Sequence, residues 1–297
     1  MTATTVSQRV PAHSTTATRN RRQVDWRTRY FNWFCVSVLL GFAAIWAIPL
    51  LWAIDTSLKP DGEIALNPTH WWSSNWTFAA YRTVFGVGNI QTWYLNSFMV
   101  SLLSAALSVI VCSMVGFALA RTRFRGRRLL FALIAAGLLI PSQVLIVPMF
   151  KEFNAANLLN TYWVQVLPAI ALPIAVFIFY AFFNGIPEEL AESAHIDGAG
   201  WFHIYRKIYM PLTRPAISAV FIFTFVWKWN DFLWPLLTMT NPRTMTLPVG
   251  LSQVSSDYGI QYAEIMASAV LGALPLLVVF LLFQRRIVEG VSTTGLK

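Results

Sequence analysis

Pro187-Glu188-Glu189-Leu190-Ala191-Glu192-Ser193-Ala194-His195-Ile196-Asp197-Gly198-Ala199, continued through Ile208-Tyr209-Met210-Pro211 to Pro215, is the longest mixed acidic and basic run between two strongly apolar segments. Pro187 suits a first helical position, where no N–H partner is needed, and Glu188 and Glu189 then oppose the positive end of the helix dipole. Gly198 follows Asp197 and can take the left-handed conformation that ends a helix. A second short helix is expected from about Trp201 to Tyr209, with Pro211 stopping it. Two short helices joined by a glycine bend make a rigid knob at a membrane surface, suited to docking into another protein.

The chain around this knob is apolar. Its 297 residues are 56% hydrophobic and 12% charged, where a soluble domain carries about 25% charge. The bilayer is therefore the expected solvent, and the fold class is all-α, since helices satisfy their own backbone in hydrocarbon. Six spans of close to 20 residues are expected: about 31–54, 95–120, 129–150, 162–183, 216–238 and 265–283. Residues 1–29 read as a disordered tail and 30–297 as the membrane domain. The first apolar run starts too far along the chain for a cleavable signal.

The net charge of +9 does not point to nucleic acid, because the basic residues flank apolar spans. With the N-terminus inside, the inner segments hold 17 of the 22 Lys and Arg. They comprise the tail, the 121–128 turn, the 187–215 loop and the C-terminal end. This asymmetry predicts both termini and the 187–215 loop in the cytoplasm, with anionic lipid near the basic residues.

The 187–215 segment resembles the EAA coupling loop of ATP-binding-cassette importer permeases. Glu192-Ser193-Ala194 stands for Glu-Ala-Ala, Gly198 has the expected spacing, and Ile208-Tyr209-Met210-Pro211 closes the motif as Ile-x-Leu-Pro does. Ser193 and Met210 depart from the pattern by small or volume-conserving changes. Asp197-Gly198-Ala199 resembles the carbohydrate-uptake branch. So do Asn75-Trp76-Thr77 with Tyr81, the Ala120-Arg121-x-x-Phe124-x-Gly126 turn, and Trp229-Asn230-Asp231-Phe232 with Trp234-Pro235. The resemblance implies a permease subunit in the cell membrane that works with several partners. These are a second permease, two ATP-binding subunits carrying ATP and Mg, and an extracytoplasmic solute-binding protein that delivers a sugar. It assigns contact with the ATPase to Glu192, Ser193, Ala194, Asp197, Gly198, Ala199, Ile208 and Pro211.

Further candidates lie within and beyond the spans. Pro141, Pro148, Pro168 and Pro173 predict bends in the third and fourth spans, with freed carbonyls facing protein or a wet cavity and Gln143 beside them. Lys228 and Asp231 share a helix face and can pair, which marks a pathway; alternatively Lys228 snorkels outward and the nearby Trp residues sit in an interfacial belt. With the resemblance, Trp229, Asn230, Asp231, Trp234 and Gln143 are the expected substrate-pathway residues, amide and aromatic groups suiting sugar hydroxyls and C–H faces. The outer aromatics Trp71, Trp72 and Trp76 read as interfacial or as binding-protein contacts. The 247–259 stretch reads as a turn-rich outer loop, and the resemblance places binding-protein contacts at Gly250, Leu251, Asp257, Tyr258 and Gly259.

No Gly-x-x-x-x-Gly-Lys-Ser/Thr run exists, so the chain is not expected to hydrolyse ATP or bind a cofactor. His195 and His203 read as surface residues, and no metal or catalytic constellation appears. Cys35 and Cys112 lie in apolar runs and read as packing residues. Two alternatives stay open: an ion-coupled secondary transporter using Lys228 and Asp231, and an importer permease for a non-sugar solute such as glycerol phosphate or an oligopeptide.

Overall fold

The computed structural model describes residues 26–67, 69–73, 75–86, 89–257 and 261–294, which are helical with no strand among them. The expected tail lies outside the described residues as far as residue 25. Helix α1 (Trp26–Ser57) already begins within the last part of that expected tail. The chain divides into two units, Met1–Pro49 and Leu50–Lys297. In the first, α1 is apolar on all sides and Trp33, Leu39 and Trp46 are exposed, as suits a helix solvated by lipid or by a partner helix.

The second unit is built on α4 (Ile90–Arg121). At 32 residues it is about 48 Å long, well beyond the roughly 30 Å of hydrocarbon. Both of its ends therefore reach past the apolar layer to meet other elements. It packs against α7 (Tyr162–Ile170), α8 (Pro173–Asn184) and α12 (Arg214–Trp229). Ser97, Ser101, Ser104 and Ser108 are buried along it, and small residues at these spacings let helix backbones approach in a membrane. At Gly116 an added Cβ would lie 2.8 Å from Phe179 Cβ and 3.1 Å from Tyr180 N, so α4 touches α8 backbone there.

Among the described residues, three helices are long and apolar enough to cross a bilayer unbroken, within Arg29–Ser57, Ile90–Arg121 and Tyr262–Leu281. Three further pairs reach that length only across a bend. These are Arg127–Gly137 with Ser142–Ala155 at 95°, Tyr162–Ile170 with Pro173–Asn184 at 41°, and Trp201–Leu212 with Arg214–Trp229 at 80°. The count accommodates six spans. Two of the four prolines expected to bend these spans sit at the breaks: Pro141 precedes a 3-10 turn (Ser142–Leu145), and Pro173 opens α8 as its first residue, whereas Pro148 and Pro168 lie inside helices Ile146–Ala155 and Tyr162–Ile170. The first pair joins α5 (Arg127–Gly137) to α6 (Ile146–Ala155), neither of which has a fully buried residue.

The structure corrects three sequence expectations. Residues 247–257 form helix α14 (Leu247–Asp257), not a turn-rich loop. Ser97 Oγ accepts the Leu247 N–H at 2.8 Å and Gly250 N–H reaches Thr246 O at 2.9 Å, so α4 supplies a cap that the local sequence does not show. Pro211 does not stop the second knob helix. A π turn (Tyr205–Tyr209) follows α10 (Trp201–Ile204), and the chain stays helical through α11 (Met210–Leu212). Proline lacks an N–H and crowds the carbonyl four residues back, and a widened turn relieves that crowding. The expected continuous fifth span instead breaks after Trp229 and resumes as α13 (Leu233–Thr238).

At the end of α4 remote from the 187–215 element, loop 241–246 is pinned by side chains. Asn96 Nδ2 donates to Arg243 O at 2.9 Å and Met245 O at 2.8 Å, and Asn96 Oδ1 accepts from Tyr162 OH at 2.7 Å. Trp93 Nε1 donates to Pro242 O at 2.8 Å. Short helices α2 (Asp61–Leu66) and α3 (Ala79–Gly86) lie in the expected outer loop, and α15 (Tyr262–Thr294) follows α14.

Candidate functional site: a projecting two-helix knob and a broken span

Two short helices and a glycine bend form where the sequence predicts them, but the first starts two residues later than expected, with Pro187 outside it and Glu188 as its cap. Helix α9 (Glu189–Ile196) carries Glu189 and Glu192 in its first turn. It ends with Gly198 N–H bonded to His195 O at 3.0 Å and Ala199 N–H bonded to Ala194 O at 2.9 Å. Gly198 has φ of 81°, the left-handed turn that this pair of bonds requires. His195 Nδ1 donates to Ala199 O at 3.0 Å, and its ring meets Trp201 edge-on at 4.4 Å. The bend is thus fixed by three hydrogen bonds and a ring contact.

Burial sorts the knob residues into two sets. Ala191, Ile204, Tyr205 and Tyr209 are buried. Glu192, Ser193, Asp197, Gly198 and Pro211 are exposed, and Ala194, Ala199 and Ile208 are half-buried. Large apolar side chains also project: Ile196 is 87% exposed and Phe202 64%. Neither is among the docking residues expected from the sequence. Ile196 sits five residues after buried Ala191 and so off its helix face, which was the available signal. Exposed Ile196 and Phe202, on an element that also exposes Glu192, Asp197, Arg206 and Lys207, make an anatomy suited to protein docking.

The second region surrounds the break in the fifth span. Lys228 Nζ lies 2.6 Å from Asp231 Oδ2, and Lys228 is buried. The open choice between pairing and snorkelling is therefore settled as pairing. Asn230 is exposed and its Nδ2 donates to Val226 O at 2.8 Å. Its carbonyl oxygen keeps its acceptor capacity. A groove of about 410 Å³ between α12, α14 and α15 is lined by Trp229, Asn230, Leu251, Ser252 and Ser268, among others. Ser268 Oγ is buried there without a hydrogen-bond partner.

The expected pathway residues do not converge. Trp229 has only an edge on the groove: it is buried, stacks on Phe225 at 6.0 Å and donates Nε1 to Gly272 O at 3.2 Å. Trp234 is buried in a separate cluster with Val164 and Met239 and donates to Val164 O at 2.8 Å. Neither presents the free ring face that the sequence reading expected, because each indole is used in packing. Gln143 lies exposed on the 3-10 turn of the third span.

Residues 112–293 match the family model of the binding-protein-dependent transport system inner membrane component. The chain belongs to that family. It is similar to the arabinooligosaccharides transport system permease protein AraQ of Halalkalibacterium halodurans, at 37% identity over 87% of this chain and 95% of the relative. The diacetylchitobiose uptake system permease protein NgcG of Streptomyces coelicolor is 35% identical, over 86% of each chain. The trehalose transport system permease protein SugB of Mycobacterium tuberculosis is 33% identical, over 88% of this chain and 95% of the relative. A solved bacterial ABC transporter for import of the acidic polysaccharide alginate has the same fold. Its TM-score is 0.76 at 20% identity, over 86% of this chain and 96% of that one.

As a family member the permease is a non-catalytic membrane subunit. Two of its expected binding-protein contacts need correction. Gly250 is buried under Trp93, whose ring atoms would lie 2.2 Å from an added Cβ, and Leu251 is buried in the core beside it. Gly250 is therefore glycine because α14 crosses the Trp93 indole there. Asp257 ends α14, while Tyr258 and Gly259 lie outside the described residues. Cys35 and Cys112 are free thiols, and Cys112 is buried with its Sγ donating to Ile170 O at 3.3 Å.

Proposed function

We propose that this permease is one of two transmembrane subunits of an ATP-driven importer that receives a sugar or oligosaccharide from an extracytoplasmic binding protein. The observation that carries the reading is the knob 187–215. It is an exposed, internally capped pair of helices with Glu192, Ser193, Asp197 and Gly198 on its surface. ATP binding on two partner subunits closes them around such knobs, and Mg stays with the ATP on those partners.

The orientation follows from charge. Seventeen of the 22 Lys and Arg lie in the segments assigned to the cytoplasm, which puts the knob and both termini on the ATP side. The sugar assignment rests on the relatives named above, whose titles name arabinooligosaccharides, diacetylchitobiose and trehalose. Within this chain, Asn230 and the Ser252–Ser268 groove offer amide and hydroxyl groups of the kind that bind sugar hydroxyls. The test is purification from the native membrane. Recovery of an ATPase with the permease, and uptake driven by ATP in vesicles lacking a proton gradient, supports the reading. Uptake that follows the proton gradient without ATP refutes it.

A further inference from the structure

The cytoplasmic end of α4 grips the knob along one stripe of three residues, Ser113, Phe117 and Arg121, spaced at four-residue intervals and so aligned on one helix face. Ser113 Oγ and Tyr205 OH are 2.7 Å apart. Phe117 meets four rings of the neighbouring elements: Tyr209 at 5.1 Å, Tyr205 at 5.3 Å, Phe183 at 5.7 Å and Trp201 at 6.2 Å. Arg121 donates Nε to Phe183 O at 3.1 Å and Nη2 to Phe183 O and Ile186 O. Its guanidinium also lies over the Tyr209 ring, 5.3 Å from the centroid.

The chemistry of the Arg121 contacts is specific. Phe183 is in the last turn of α8 and Ile186 two residues past its end, where carbonyls lack helical partners and the dipole is negative. A guanidinium fork serves two such carbonyls at once and stacks on an aromatic face, which an ammonium cannot do equally well. The segment it caps leads directly into α9. The face it covers, Tyr209, belongs to the second half of the knob. Arg121 therefore ties the second half of the knob, and the segment that leads into its first half, to α4, while Gly116 brings α4 onto α8.

We infer that the Ser113–Phe117–Arg121 stripe is the connection through which movement of the knob is passed to the long central helix, with Arg121 as its positioning residue. This rests on the reading of the knob as the element held by an ATPase partner. A displacement of the knob cannot leave α4 behind without breaking several hydrogen bonds and a packed aromatic cluster, so the two move as one body. Such a connection is a physical element that both sites bias, not mere proximity.

The experiment uses the whole transporter, purified with its ATPase and reconstituted in vesicles, and reads sugar transported per ATP hydrolysed. Arg121→Gln is expected to keep the ATPase bound and hydrolysing, while transport per ATP falls about tenfold. Arg121→Lys is expected to recover part of the loss. The Ser113→Ala/Tyr205→Phe double variant removes only two hydroxyls and carries the test if Arg121→Gln fails to fold. It is expected to lower the same ratio by a smaller factor. An unchanged ratio in the variants that fold overturns the inference. A wild-type chain that recovers no ATPase overturns the underlying reading instead, so the two failures are distinguishable.

Discussion

Lys228 and Asp231 form a 2.6 Å ion pair at the point where helix α12 ends, with Lys228 buried and Asp231 partly exposed. The pair bridges the last turn of α12 and the first residues of the break. Removing Asp231 alone leaves a buried ammonium without its partner, at a cost of about 3 kcal/mol. Thermal denaturation in detergent is expected to show Asp231→Ala clearly less stable than wild type. The Lys228→Met/Asp231→Leu double variant should regain most of the loss. That double variant also separates transport classes: ATP-driven uptake survives it, whereas an ion-coupled carrier using the pair as a relay loses transport.

Asn96 holds the remote end of α4 to loop 241–246 and to α7. Asn96→Ala would strand two backbone carbonyls and the Tyr162 hydroxyl, for a loss of about 2–3 kcal/mol. The melting temperature should drop, and Asn96→Asp, which sets a carboxylate oxygen against the two carbonyls that the amide served, should also lie below wild type. A melting temperature equal to wild type for Asn96→Ala would show that these bonds do not fasten the loop.

Gly250 faces the Trp93 indole across α14 with no room for a methyl group. Gly250→Ala forces the indole from its bond to Pro242 O and is expected to destabilise by about 1–3 kcal/mol. Trp93→Leu in the same background should relieve the clash, which a double-mutant cycle on thermal stability would register as coupling. Additive effects would remove Trp93 as the reason for glycine at this position.

Much of this was legible from the sequence because it is local. Gly198 marks the end of the first knob helix and its bend, the acidic residues mark its first turn to within two positions of Pro187, and hydropathy marks the spans though not the break after Trp229. What was missed depends on distant partners. Helix α14 is capped by Ser97, 150 residues away, so its own residues read as turns. The rings of Trp229 and Trp234 were read as free faces, yet each donates to a carbonyl on another helix. Pro211 carries the local signature of a stop signal, and the π turn that absorbs it has none. Arg121 looks in the sequence like part of a basic turn, because the carbonyls it holds lie 62 and 65 positions away.

The central claim is that the knob transmits the work of an ATPase. Gly198 tests it most directly. Its φ of 81° is closed to proline, and its N–H bond to His195 O would be lost. An added Cβ meets nothing within 4 Å, so damage from substitution there is confined to the bend. The measurement is ATP hydrolysis and sugar uptake by the same reconstituted complex carrying Gly198→Pro. The account predicts a permease still present in the membrane, continued hydrolysis, and uptake reduced at least about tenfold. Uptake per ATP equal to wild type would contradict it.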